Sequence, residues 1–423
     1  MKIKISAGCP KGSVSAPPSK SYAHRMLLCA ALAEGESTIR GVNENEDVLA
    51  TLDCARALGA RCTVDGDTVT VSGVGANFRQ SLGSLSGEAL TFPCRESGST
   101  MRFFIPLPLL FGQKSTFTGL KRLTERGVSV YEKLFAEKGI YCHNNGEGVS
   151  VSGKLTAGEY VLPGNVSSQF VSGLLFALPL LDGDSIIKVL PPVESRGSID
   201  ITLDVMRKFG VTVTESEKNT FYVKGSQDYE CRDCTVEGDW SNGAALIALG
   251  EITKKKTLAD DSKIKSEAEI KVLGLNENSL QGDKVCVKLI EKLRAGREVI
   301  DISDCPDLGP VLFAVAAAWG GGRFVGTRRL KIKESDRARV MAEELKKFGI
   351  AVTVEENSVT VHSGSLKAPS VPCQSHNDHR IVMALSLLGA LVGCEIDGAE
   401  AITKSYPDFF DVLISLNLEV EVK

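Results

Sequence analysis

Residues 52–71 read LDCARALGARCTVDGDTVTV. Apolar residues first recur every three or four positions, as on one face of a helix, and then alternate, as in a half-buried strand. Gly59 stands where the period changes, the place for a left-handed helix cap. VDGD then turns one short strand into a second, forming a hairpin. The same order returns in YEKLFAEKGIYCHNNGEGVSV around Gly139, LDVMRKFGVTVTESEKNTFYV around Gly210, KLIEKLRAGREVIDI around Gly296 and MAEELKKFGIAVTVEENSVTV around Gly349. A sixth copy, FFDVLISLNLEVEVK, has Asn417 in the glycine place and is cut short by the C-terminus. From 59 to 417 is five intervals of about 72 residues. That is too long and irregular for a thin solenoid and suits a small α/β unit used six times.

Each unit carries a second, more apolar helix. These begin in SKSYAHRMLLCAALAEG, ESGSTMRFFIPLPLLFG, NVSSQFVSGLLFALPLLDG, DWSNGAALIALGE, CPDLGPVLFAVAAAWGG and NDHRIVMALSLLGALVG. A helix apolar on nearly all sides lies inside a protein core. Three units make one domain of ordinary size, and six make two. Every one of these helices opens on a polar motif. Helix N-termini offer unpaired N–H groups and the positive end of a dipole, which favour anions. Ser, Asp and Asn there serve equally as caps. Capping does not account for Lys20, Arg25, Arg102, His379 and Arg380 at the same helix starts.

The composition, 43% hydrophobic and 24% charged, is that of a globular chain, and the net charge of −4 gives no basic surplus for nucleic acid or a membrane surface. No signal-peptide core or membrane span is apparent, and twelve scattered cysteines read as reduced thiols of a cytoplasmic protein. CRDC (Cys231, Cys234) has metal-ligand spacing but no second pair, and His376 and His379 have no carboxylate-and-histidine motif around them. GxxxxGKS, GxxxxGKT and GxGxxG patterns are absent, so ATP, NAD and metal are not indicated.

The cationic candidates are Lys20, Arg25, Arg102, Arg126, Lys333, Arg337, Arg380 and Lys404. Arg grips carboxylate or phosphate with two N–H groups and Lys acts as a point charge, so this set in a net-acidic chain fits a small, multiply anionic ligand. Ser167 and Ser168, beside Gln169, suit a phosphate at a helix start. Two acids stand out: Asp307 in CPDLGP and Glu334 in KIKESDR. An acid beside cations is a general acid or base, or equally a charge balancer or cap.

In SKSYAHR, ESGSTMR, NVSSQF, KESDR, NDHR and TKSYPDFF the chain resembles the 5-enolpyruvylshikimate-3-phosphate synthase family, in order over nearly its whole length. The resemblance implies two similar domains, each of three βαβαββ-type units packed around buried parallel helices, with a cleft between the domains. It implies crossings near Val14–Pro17 and Val236–Asp239, giving one domain at 17–236 and the other at 1–16 with 237–423. The implied reaction is a step of the shikimate pathway toward chorismate and the aromatic amino acids, and a glyphosate target. It transfers the enolpyruvyl group of phosphoenolpyruvate to the 5-hydroxyl of shikimate 3-phosphate by addition and elimination, releasing phosphate, in a cytoplasmic monomer without metal or organic cofactor.

By motif, the resemblance implies that Lys20 touches both substrates. Ser21, Arg25, Ser167, Ser168, Ser195 and Lys333 would hold shikimate 3-phosphate, and Gln169 would lie near both. Gly98, Arg126, Arg337, Arg380 and Lys404 would hold phosphoenolpyruvate. Asp307 would accept the 5-hydroxyl proton, and Glu334 or Lys20 would deliver one to the methylene carbon. Glu96, Phe103, Ser198 and Arg329 depart from the family pattern. The alternatives are the sister transferase acting on UDP-N-acetylglucosamine and a non-catalytic anion-binding protein on the same fold. FGQKSTFTGLKRLTER lacks the sister enzyme's reactive Cys, and the acids Asp307 and Glu334 would bring nothing to plain anion binding.

Overall fold

The computed structural model describes residues 1–75, 89–259, 269–296 and 299–423. The chain divides into two compact units, Pro18–Glu237 and Met1–Pro17 with Gly238–Lys423. The boundaries fall one residue later than the sequence reading places them. Each unit has its own apolar core.

In the first unit, three four-stranded sheets share one plan. A parallel pair is extended by an antiparallel hairpin: Leu90–Pro93 with Ser115–Thr118, then Gly148–Ser152 and Tyr141–Asn144. Glu159–Pro163 with Ser185–Leu190, then Thr220–Val223 and Val213–Glu217, repeats it. In the third sheet the first strand, Cys234–Thr235, comes from the end of the unit and lies parallel to Glu36–Arg40.

The second unit follows the plan with two departures. In the last sheet Lys2–Ile5 from the N-terminus stands between Cys394–Asp397 and Val420–Val422, supplying the strand that the sixth copy lacks. The fourth copy corrects the expectation of a hairpin after Gly296. Val299–Asp301 instead lies parallel to Gly322–Val325 and opens the next sheet. The fourth sheet, among the described residues, is the pair Gly12–Ser15 and Ile270–Leu273.

All six residues at the change of period, Gly59, Gly139, Gly210, Gly296, Gly349 and Asn417, have positive φ. That conformation turns the chain from the outer helix into the next strand, and glycine and asparagine adopt it at least cost.

The inner helices are the apolar ones. In His379–Val392 every side chain from His379 to Ala390 is buried. Each Leu or Ile so placed contributes about 1.5–3 kcal/mol, which offsets the cost of taking His379 and Arg380 inside. Two inner helices are shorter than the sequence suggests. Gly98–Phe104 stops before Pro106 and Pro108, and Ser168–Ala177 gives way at Pro179 to a tight turn. Arg102 therefore falls in the last turn of its helix rather than at its start. These two helices nearly touch at Gly173, where a Cβ would lie 2.3 Å from the Arg102 carbonyl and from the Tyr131 hydroxyl. That close approach brings Arg102 and Gln169 together.

Candidate active site

Ser97, Ser167, Asp239 and Asp378 each accept a backbone N–H at the start of an inner helix. Capping thus meets part of the helix-end charge, and in the second unit it does so with carboxylates. The cations around those starts are arranged differently in the two units.

In the first unit Lys20 opens the helix Lys20–Leu32 and donates to Asp47 Oδ2 at 2.7 Å, both side chains being mostly buried. Ser21, beside it, is exposed. Arg25, one turn on, is buried. Its Nε donates to Thr202 Oγ1 (2.8 Å), Nη1 to the Ser21 carbonyl (2.7 Å) and Nη2 to the Ser198 hydroxyl (2.8 Å). Its guanidinium also lies 4.8 Å from the Phe103 ring centroid. Burial lowers its pKa to about 10, which leaves it cationic at neutral pH. Phe103 and Ser198, two departures from the family pattern, are thus both partners of Arg25.

Arg102 Nη1 donates to Gln169 Oε1 at 2.6 Å, and Gln169 Nε2 donates to Ser99 Oγ at 2.7 Å. A Cβ on Gly98 would sit 3.1 Å from Arg126 Nη2 and 3.2 Å from Arg102 Nη1. Two guanidiniums therefore flank a bare stretch of backbone at a helix start. Ser168 is buried beside the cap Ser167. Ser195, with φ 57°, stands immediately before the helix Arg196–Lys208 but makes no side-chain cap hydrogen bond to it.

In the second unit Asp307 sits on the turn Pro306–Leu308 that leads into the helix Gly309–Trp319. Its Oδ1 accepts from Arg337 Nη1 at 2.6 Å and lies 3.0 Å from Lys333 Nζ. Arg337 begins the outer helix Arg337–Lys347 and also donates through Nη2 to Glu334 (2.6 Å) and through Nε to Asp378 Oδ2 (2.9 Å). With a further Nη2 bond to Asp378 Oδ1 (3.2 Å), four of its five N–H groups are committed to carboxylates.

Burial opposes the charge on Asp307, but Lys333, Arg337 and Arg380 outweigh it and hold the carboxyl well below its usual range. Burial lowers the pKa of Lys333, while Asp307 counters that effect. Burial also works against the Arg337 charge, and its three carboxylates more than reverse this. Arg380 Nη1 reaches the Ser241 carbonyl and Asn242 Oδ1, both at 2.9 Å, so one guanidinium ties two helix starts together. Lys404 Nζ donates to the Asn377 carbonyl at 2.7 Å.

The structure thus joins Asp307, Lys333, Glu334 and Arg337 in one network, and Gly98, Arg102, Arg126 and Gln169 in another. Lys20, Ser195 and Lys404 are held by other contacts. Asp378 belongs to the first network, while Asp47 holds Lys20 and Thr202 holds Arg25; none of the three is marked as a site residue by a motif of the sequence. Asp378 was in plain view in NDHR, where it reads as a cap. Arg329, another departure from the pattern, is buried with Nη1 3.4 Å from the Ser303 carbonyl.

His376 Nε2 is taken by Glu344 at 2.9 Å. Among the described residues no group of three or more His, Cys, Asp and Glu is placed to hold a metal, and no helix is long and apolar enough to cross a membrane.

A family model described as EPSP synthase (3-phosphoshikimate 1-carboxyvinyltransferase) matches residues 8–413. A relative in Clostridium kluyveri named 3-phosphoshikimate 1-carboxyvinyltransferase is 37% identical over 433 residues, covering 97% of this chain and 96% of its own. One of the same name in Clostridium acetobutylicum is 38% identical over 443 residues, covering 99% and 98%. Two solved structures of EPSP synthase from Acinetobacter baumannii share the fold, with TM-scores of 0.77 and 0.78 at 24% identity over 100% of both chains. These matches favour this family over the UDP-N-acetylglucosamine transferase. With the family model spanning nearly the whole chain and relatives this similar end to end, the chain belongs to the EPSP synthase family.

Proposed function

We propose that this family member carries out its reaction with Asp307 as the proton acceptor from the 5-hydroxyl of shikimate 3-phosphate. The reaction is the transfer of the enolpyruvyl group of phosphoenolpyruvate to that hydroxyl, with release of phosphate. In the addition step the 5-oxygen bonds to C2 of phosphoenolpyruvate. Its proton passes to Asp307, and the methylene carbon takes a proton from Glu334 or Lys20. The tetrahedral adduct then loses phosphate and a methyl proton.

The observation that carries this reading is the shared guanidinium: Arg337 holds both Asp307 and Glu334 at 2.6 Å. Two acids fixed on one cation, with Lys333 on the first, are suited to passing protons while charge develops nearby. Arg337 then serves phosphoenolpyruvate mainly as a fixed charge, because most of its N–H groups are taken.

Ser21, Arg25, Ser167, Ser168, Ser195 and Lys333 hold shikimate 3-phosphate in this reading, and Lys20 and Gln169 meet both substrates. Gly98, Arg126, Arg380 and Lys404 complete the set for phosphoenolpyruvate. The bare backbone of Gly98 between two guanidiniums supports its place there. The reading includes a cytoplasmic monomer that needs no metal or organic cofactor. Light scattering after gel filtration tests the first, and turnover in EDTA tests the last.

Phosphate release should require both substrates together. Asp307→Ala should cut that turnover by about 100- to 10,000-fold, the usual range for a general base, while shikimate 3-phosphate still binds. Equal, small losses in binding and turnover would make Asp307 a ligand only.

A further inference from the structure

Arg95 has a backbone conformation that its own side chain disfavours. Its φ is 51°, in the left-handed region, where a residue with a Cβ pays a penalty that glycine escapes. Arg95 lies three residues before Gly98, so a held turn here bears directly on the proposed phosphoenolpyruvate site.

The guanidinium supplies the hold. Nε and Nη2 of Arg95 donate to Asp53 Oδ2 (3.1 and 2.8 Å), and Nη1 donates to Glu46 Oε2 (2.8 Å). Both acids lie on the outer helix Glu46–Leu58, two turns apart and so on one face. The opposite face of that helix is buried, from Val48 to Leu58. The turn is therefore tied to an element with a fixed place in the core.

The turn reaches two parts of the site. On one side Ser97 N donates to the Cys94 carbonyl (2.8 Å), which closes the turn, and Gly98 follows. On the other side the Arg95 carbonyl accepts from Leu120 N at 2.8 Å, and Leu120 immediately precedes the helix Lys121–Arg126. A Cβ on Gly119 would lie 2.9 Å from that same carbonyl, so the two segments meet closely. One left-handed residue thus sets the places of both Gly98 and the helix that ends in Arg126. Arg126 Nη2 is the group that a Cβ on Gly98 would meet first, at 3.1 Å.

The second unit repeats the device. His376, with φ 50°, stands two residues before the cap Asp378, as Arg95 stands two residues before the cap Ser97. Asp378 N donates to the Ser375 carbonyl (3.0 Å), and Glu344 on the outer helix Arg337–Lys347 takes His376 Nε2. An incidental surface ion pair would carry neither the positive φ nor the recurrence.

We propose that Arg95 is a positioning residue for phosphoenolpyruvate: gripped by Glu46 and Asp53, it holds a left-handed turn that fixes Gly98 and Arg126 relative to each other. Arg95 does not touch the substrate. The inference rests on the reading of Gly98 and Arg126 as holders of phosphoenolpyruvate.

The experiment compares Arg95→Ala, Arg95→Gly and Gly98→Ala with the unchanged enzyme, reading kcat and KM for each substrate. Both Arg95 variants lose the grip on Glu46 and Asp53. They differ in the cost of a left-handed φ, which only the Ala variant bears. A turn that must be re-formed on binding weakens apparent affinity by the fraction of chains that hold it. Arg95→Ala should therefore raise KM for phosphoenolpyruvate by about tenfold, the factor that matches the left-handed penalty, with kcat less affected. KM for shikimate 3-phosphate should stay within about twofold of the native value. Arg95→Gly should bring KM for phosphoenolpyruvate back to within about threefold of native. Arg95→Ser and Arg95→Asn give the same contrast should the Ala variant fold poorly, since Asn accepts a left-handed φ more readily than Ser. Equal KM values in the Ala and Gly variants, a greater loss in the Gly variant, or a parallel rise in KM for both substrates overturns the proposal. An unchanged KM for phosphoenolpyruvate in Gly98→Ala overturns the reading of Gly98 instead.

Discussion

Arg337 grips Asp378 with two N–H groups, Nε to Oδ2 at 2.9 Å and Nη2 to Oδ1 at 3.2 Å, and the two side chains are 1% and 0% exposed. Asp378 spends its remaining capacity on Ser335 Oγ and the Arg380 amide. One buried acid thus links the start of the outer helix to the start of the inner one.

Removing the cation should be costly. Arg337→Met would leave Asp378, Asp307 and Glu334 facing one another, with Asp378 wholly buried. Breaking a buried pair on one side costs about 3–5 kcal/mol. Urea unfolding of both proteins at neutral pH measures the deficit. A deficit under about 1 kcal/mol would contradict the arrangement. Arg337→Lys should recover only part of it, because an ammonium cannot grip a carboxylate on two sides.

Gly98 is tested by a single methyl. The added Cβ would lie 3.1 Å from Arg126 Nη2 and 3.2 Å from Arg102 Nη1, at the ends of flexible side chains rather than backbone. Gly98→Ala should therefore fold, with both guanidiniums displaced by a few tenths of an ångström. KM for phosphoenolpyruvate should rise several-fold with kcat less affected, as for lost ground-state binding. Glyphosate, proposed as a competitor of phosphoenolpyruvate, should weaken more. Unchanged constants for both would remove Gly98 from the site.

The repeat was legible because it is local. Helix period, glycine cap and alternating strand are properties of some twenty neighbouring residues, and all six caps have the expected positive φ. What the sequence hid was pairing at a distance. Nothing in KIKI marks Lys2–Ile5 as the strand that completes a sheet with Val420–Val422. VID after Gly296 reads as the start of a hairpin until Gly322–Val325 claims it.

The site divides in the same way. Lys20, Arg25 and Arg380 stood out as charges in greasy surroundings. Asp47 and Asp378 do not, because an acid near a helix start looks like a cap whatever else it holds. Their meaning comes from a cation tens of residues away, such as Lys20 for Asp47 and Arg337 for Asp378.

The last prediction concerns His24, buried on the helix that Lys20 opens. Its Nδ1 lies 2.5 Å from Thr51 Oγ1, which lies 2.8 Å from Thr100 Oγ1, and Thr100 donates to Ser97 Oγ at 2.8 Å. This chain of hydroxyls ties the Lys20 helix to the one that Gly98 opens. Burial is the main force on the ring. Lys20 and Arg25 add to it, Asp47 opposes it, and the pKa falls from 6.5 to about 3. The ring is therefore neutral in the folded chain at every working pH, but takes a proton near pH 6.5 once unfolded. A folded pKa below the unfolded one means that this group's contribution is whole above pH 6.5 and is lost as pH falls toward 3. The loss approaches about 1.4 kcal/mol per pH unit, or roughly 2 kcal/mol between pH 7 and pH 5. His24→Gln keeps a polar group beside Thr51 and removes the titration. The variant should be less stable than the native chain at pH 7, and the gap should close by about 2 kcal/mol at pH 5. Urea unfolding of both proteins at the two pH values decides it, and a gap that does not change with pH would mean that His24 is already charged, or reachable by water, in the folded protein.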